Sequence, residues 1–217
     1  MPATLEKPDS RASRTRSALL AAGFDLMAER PIDAIPIDDL VASAGVAKGS
    51  FFNHFSDKDG FAAAIAFEVR VEIEERVETA NSGVDNPLER LAGGMREAAS
   101  YALNRRKQSI VALRFSHGTT TRGHPLNKGV GADIAACVEA DHFREEAKET
   151  GVLYWLGLCH ALMANIVENE FSLQEAATRL EKMLILGLTG LGADEETAVK
   201  VATDNFQILL RVQDAAH

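Results

Sequence analysis

The 217 residues suffice for one large domain, or for a small domain joined to a larger one. With 46% hydrophobic and 25% charged residues the chain can build a packed core and a solvated surface, and its net charge of -9 excludes a protein coated in basic surface, though not a local basic patch. The two cysteines, Cys137 and Cys159, have no CxxC spacing, which argues against a disulfide scaffold or zinc ribbon and fits a reducing cytoplasm.

The opening "MPATLEKPDSRASRTRS" has no apolar core of signal-peptide length, so a cytoplasmic location is expected. Residues 10–29 read as a helix, with Leu20, Phe24 and Met27 at helical spacing and Pro31 as its end. "IPIDDLVASAG" is a short helix with Pro36 near its start and Gly45 as its stop. "AKGSFFNHF" is a third. Ser56 with Asp59 resembles a capping box for a fourth helix running to about residue 80, apolar at its start and charged at its end.

"NSGVDNP", Asn81 to Pro87, is the linker candidate. Asn86 then caps a helix, Pro87 takes its first position, Glu89 closes the box, and Leu88, Leu91, Met95, Ala98 and Ala102 share a face. A shorter helix contains "IVALRF", and Ser116–Pro125 is the longest loop. A helix through Val130, Ile134, Cys137 and Val138 is expected to end at Gly151. "GVLYWLGLCHALMANIV" is uncharged but holds His160 and Asn165 and falls just short of a membrane span, so it reads as a buried helix near 152–169. Ser172 with Glu175 starts the next helix, and Asp194 caps a last one. No strand alternation or internal repeat emerges. The expected fold is all-α: residues 1–60 as one domain, a linking helix at about 57–80, and 81–217 as a larger helical domain.

Two short helices joined by "AGVA" match a helix-turn-helix, with Gly45 permitting the tight turn. On the second, Phe51 and Phe55 share the inner face, where Leu20, Phe24 and Leu40 can receive them. Lys48, Ser50, Asn53 and His54 point the other way, as on a helix entering the major groove. Lys58, near free backbone N–H groups, suits a phosphate. A small helical bundle with a solvated face would leave the same pattern.

The segment "LLAAGFDLMAERPIDAIPIDDLVASAGVAKGSFFNHFSDKDGFAAAI" resembles the DNA-binding domain of the TetR family of bacterial transcriptional regulators. The resemblance implies an N-terminal helix-turn-helix domain, a helical ligand-binding and dimerisation domain, and a homodimer that leaves its operator DNA when a small molecule binds. It places DNA contacts at Lys48, Gly49, Ser50, Phe52, Asn53, His54 and Lys58. Pro36, Ala47 and Phe52 stand where the family usually has hydroxyl-bearing residues, and Asp38 puts a negative charge close to the DNA backbone. Arg11, Arg14 and Arg16 form either a phosphate-contacting arm or an ordinary solvated helix start.

For the second domain, Tyr101, Arg114, His117, Tyr154, Trp155, Cys159, His160, Met163 and Asn165 are candidates for an effector pocket, with core packing the alternative for each. His117, His124, Cys159 and His160 match no zinc spacing, so no metal or other cofactor is expected. No catalytic order or phosphate-cradling glycine loop stands out; "GGM" at 93–95 and "GVG" at 129–131 read as packing or bends. The apolar helices near 152–169 and 173–190 are candidates for pairing with a second copy. An interaction module without DNA binding and a small helical enzyme are the alternatives to a DNA-binding regulator.

Overall fold

The computed structural model describes residues 11–115 and 123–214, with side chains described through Arg211. The described residues form ten α-helices, two single 3-10 turns and no strands. They fall into two compact units, divided between Glu68 and Val69, inside the fourth helix.

The first unit holds α1 (Arg11–Glu29), a 3-10 turn at Ile32–Ala34, α2 (Ile37–Ser43), α3 (Lys48–His54) and the first half of α4 (Lys58–Ala80). α2 ends in a Schellman motif: Val46 N–H donates to Val41 O at 3.0 Å, and Gly45 N–H to Ala42 O at 3.2 Å. Gly45 sits at φ +64, a left-handed value that a β-carbon would strain. Pro36 and Ala47 precede α2 and α3 in extended conformation and offer no capping side chain. The start of α4 differs from the expected box by one residue. Asp57 Oδ1, not Ser56, accepts from Gly60 N–H at 2.7 Å, and Ser56 Oγ donates to Asp57 Oδ2 at 3.1 Å.

Aromatic rings fill this unit's core. Phe51 and Phe55 lie 5.3 and 4.8 Å from Phe61, centroid to centroid, among buried Leu19, Leu20, Met27, Ile35 and Leu40. Gly23 makes room for them: a β-carbon there would overlap the Phe61 ring and lie 2.8 Å from Ile65 Cδ1.

The second unit contains the rest of α4, α5 (Pro87–Asn104), α6 (Arg106–Arg114), a 3-10 turn at Pro125–Asn127, α7 (Lys128–Glu139), α8 (Ala147–Asn169), α9 (Leu173–Leu191) and α10 (Glu195–Asp214). α5 is central and packs on α7, α8, α9 and α10, while α10 packs chiefly on α9. Three caps are made by the expected residues. Asn86 Oδ1 accepts from Leu88 N–H at 2.9 Å without the expected closure by Glu89, Asp194 Oδ1 accepts from Thr197 N–H at 2.9 Å, and Ser172 with Glu175 closes a reciprocal box.

The helix expected to run from Val130 to Gly151 is instead two helices. Asp141 takes φ 58, His142 and Phe143 N–H return to Cys137 O, and Arg144 N–H reaches Leu191 O at 2.8 Å. Gly151 therefore lies inside α8, where Ile134 approaches it closely. α8 is long and apolar enough by composition to cross a membrane, yet it packs against α5, α6, α7 and α9, and Trp155, Leu162 and Ile166 on its inner face are buried.

Candidate nucleic-acid interface and effector region

α3 is fixed on one side and open on the other. Phe51 is fully buried, while Phe52 is 53% exposed and edge-on to it, with centroids 5.4 Å apart. Asn53 is exposed, and Ser50 and His54 are half-buried. Gly49 is exposed, and a β-carbon there would meet nothing within 4 Å. Lys48 is exposed but not free: its ammonium pairs with Asp38 of α2 at 2.9 Å. Six of the seven expected DNA-contact residues thus lie on α3, and none of the four with polar side chains is buried.

Lys58 departs from the expectation of an outward cation. Its Nζ donates to the carbonyls of Ile32, Asp33 and Ile35 at 3.0, 3.1 and 3.1 Å. Three donors meet three acceptors, so this charge holds the turn between α1 and α2. Two further cations of the unit are also paired, Arg16 with Glu68 at 3.2 Å and Arg30 with Asp39 at 2.8 Å.

In the second unit the nine expected effector residues separate. Cys159 and His160, half-buried on α8, feel Arg70 of α4. Burial, seconded by Arg70, lowers the His160 pKa, and burial pushes the Cys159 thiol up to about 12. Arg70 pairs with Glu74 one turn on, and its Nη2 donates to Asn127 Oδ1 at 3.1 Å. Burial raises the Glu74 pKa against the opposing pull of Arg70. Asn165 Oδ1 is buried without a hydrogen-bond partner.

Tyr101 is fully buried. Its hydroxyl donates to Glu72 Oε2 at 2.8 Å, the Arg76 guanidinium lies 5.8 Å from its ring centroid, and burial raises its pKa strongly. Trp155 and Met163 belong to the packed interior, Trp155 against Gly187 of α9. Tyr154 faces outward, its hydroxyl reaching Leu186 O at 3.4 Å, and Arg114 is exposed at the end of α6. His117 lies outside the described residues. Arg70, Glu74 and Asn127 were not among the sequence candidates; the available signal was an i,i+4 Arg–Glu pair flanked by Val69 and Ile73. Among the described residues no group of three or more His, Cys, Asp or Glu side chains could hold a metal.

A cleft of about 390 Å³ opens elsewhere in this unit, between the end of α4, α5 and α10, and none of the candidates among the described residues lines it.

Residues 19–65 match the family model of bacterial regulatory proteins of the tetR family. Over that N-terminal segment the chain is similar to the TetR family of HTH-type regulators. An uncharacterised HTH-type transcriptional regulator of Haemophilus influenzae is 26% identical over 137 residues, which are 63% of this chain and 62% of that protein, so the match spans less than two thirds of the relative. A Shewanella sp. PV-4 crystal structure assigned to TetR-family transcription regulators superposes with a TM-score of 0.72 at 15% identity, covering 82% of this chain and 97% of that one. FadR from Bacillus subtilis, in complex with stearoyl-CoA, gives a TM-score of 0.64 at 15% identity over 80% of this chain and 98% of its own. RolR in complex with resorcinol gives 0.60 at 20% identity over 88% and 94%. At such identities the TetR likeness to these structures is one of fold.

Proposed function

We propose that this protein is a cytoplasmic transcriptional repressor of the TetR family that binds operator DNA as a homodimer and is released by a small molecule. The observation that carries the DNA-binding part is the two-sided character of α3. Phe51 is locked into a ring cluster with Phe55 and Phe61, and Gly49, Phe52 and Asn53 are presented to solvent. A helix so anchored can enter a major groove with Asn53 at a base edge and Lys48 at a phosphate.

The homodimer is supported by an apolar surface on α8 and α9. Leu153 is 59% and Leu186 65% exposed, with Tyr154 between them. A soluble chain rarely leaves such a patch uncovered, and a second copy presents the same one. The effector reading rests on the polar groups around α8: Arg70, Glu74, Cys159 and His160, with the unpartnered Asn165 Oδ1 on the same helix. α4 carries Arg70 and Glu74 and belongs to both units, so an effector there acts on the helix that also bears Lys58.

Fluorescence anisotropy with the full chain tests the reading, using DNA flanking its gene and random DNA of equal length. Asn53→Ala should weaken specific binding by about 1–3 kcal/mol and spare binding to random DNA. Equal affinity of the parent for both DNAs would refute it.

A further inference from the structure

The cleft of about 390 Å³ between α5 and α10 has the size of a small-molecule site and plays no part in the functions proposed above. Its floor is buried and polar. The Arg96 side chain is 11% exposed, Asn205 is 4% exposed, and Arg96 Nη1 donates to Asn205 Oδ1 at 2.8 Å. Asn205 is itself held by donation from Nδ2 to Val201 O at 2.9 Å. Val84, Val201 and Ile208 supply apolar lining, and Arg211 is an exposed cation of the same cleft.

Two guanidiniums meet one carboxylate beneath the floor. Arg96 lies 3.7 Å from Glu97, and the same carboxylate pairs with Arg76 at 3.4 Å. Arg76 is 37% exposed and is answered by solvent, whereas the Arg96 side chain is 11% exposed and shares the Glu97 carboxylate. Burial holds the Arg96 pKa below its ordinary value, with Glu97 opposing. A buried guanidinium that shares its carboxylate with a second cation is stabilised further by another anion within reach. Of the two acids that also line the cleft, Asp204 is 3.5 Å from Lys200, while Glu89 is exposed on the first turn of α5. Glu89 would repel a second negative charge on any occupant.

We propose that this cleft is a second small-molecule site, selective for a monocarboxylate with a short apolar tail. The carboxylate meets Arg96 and Arg211, and the tail lies along Val84, Val201 and Ile208. Hexanoate is the probe, with hexanamide as its neutral analogue and adipate as the dicarboxylate. Saturation-transfer NMR and titration of the full chain should show hexanoate binding, with hexanamide and adipate about tenfold weaker, the scale of one charge-assisted contact. Arg211→Gln changes an exposed residue, so the fold survives, and it should weaken hexanoate severalfold. Arg96→Gln should abolish binding; should that buried change unfold the chain, Arg211→Gln alone decides. No hexanoate signal, equal binding of hexanamide, or affinity untouched by Arg211→Gln would overturn the proposal.

Discussion

Replacing Lys58 by Met separates a structural cation from a phosphate contact. In the folded chain its ammonium satisfies the carbonyls of Ile32, Asp33 and Ile35 at 3.0–3.1 Å. Ile35 is fully buried and Ile32 is 5% exposed, so water cannot readily replace the lost donor at either residue, whereas Asp33 is exposed. A hydrogen bond to a charged group contributes about 1.5–3 kcal/mol net, and an orphaned buried acceptor costs about 1–3 kcal/mol. The three bonds share one charge and do not add, so Lys58→Met should cost the first unit about 2–4 kcal/mol. Urea unfolding gives the total, and hydrogen exchange at the Ile35 amide, bonded to Ile32 O at 3.0 Å, reports the local loss. Lys58→Arg sharpens the test. A planar guanidinium keeps the charge but does not match three converging carbonyls, so it should also destabilise. A phosphate-bound Lys58 would behave otherwise. Arg would be tolerated, and Met would leave stability intact while flattening the salt dependence of DNA binding by about one unit of slope per subunit. That second pattern would refute the structural role.

Asp38→Asn frees Lys48 from its 2.9 Å pair and removes an acid from the first turn of α2. It should tighten binding to operator and random DNA alike, about threefold at low salt and less as salt rises, in a titration series. Gly23→Ala would push a β-carbon into the Phe61 ring, which Phe51 and Phe55 already hold, so thermal unfolding should show a loss of about 1–3 kcal/mol with α8–α10 amides unaffected. The His160 pKa is lowered in the fold, chiefly by burial and then by Arg70, so its contribution to stability is present above the ordinary value of 6.5 and is lost as pH falls below it. Melting temperature should therefore drop between pH 7.5 and 5.5 in the parent, and less steeply in His160→Gln.

Helix order was legible because most of its signals are local. Asn86, Ser172 and Asp194 cap within three residues of themselves, and Gly45 marks a turn that only a positive φ closes. The break between α7 and α8 was not legible, because what holds it is remote. Arg144 N–H bonds to Leu191 O across α8 and α9, and no neighbour of Asp141 announces its left-handed conformation. The inner and outer faces of α3 followed from the spacing of Phe51 and Phe55. The partners of Lys58 lie 23 to 26 residues earlier in the chain, so sequence alone gave a cation without its acceptors. The effector candidates suffered most, since Cys159 and His160 acquire meaning from Arg70 and Glu74 on a distant helix.

The electrostatics of the first unit bear on how a chain of net charge -9 could approach DNA. Lys48, Arg16 and Arg30 each spend their charge on an acid of the same unit, and Lys58 spends its own on carbonyls. In the proposed DNA complex, Lys48 would give up Asp38 for a phosphate, and the gain would be the difference between two contacts of similar kind. An exposed ion pair is worth about 0–1 kcal/mol, so the exchange is cheap, but it returns correspondingly little attraction at a distance. Arg11 and Arg14, exposed at the start of α1, are basic side chains without an ion pair or carbonyl partner among the described residues. Affinity would then depend less on attraction at long range than on fit at short range, from Asn53, Phe52 and the open backbone at Gly49. Selectivity between sequences gains from that balance, because a weak general attraction to phosphates leaves base contacts a larger share of the binding energy.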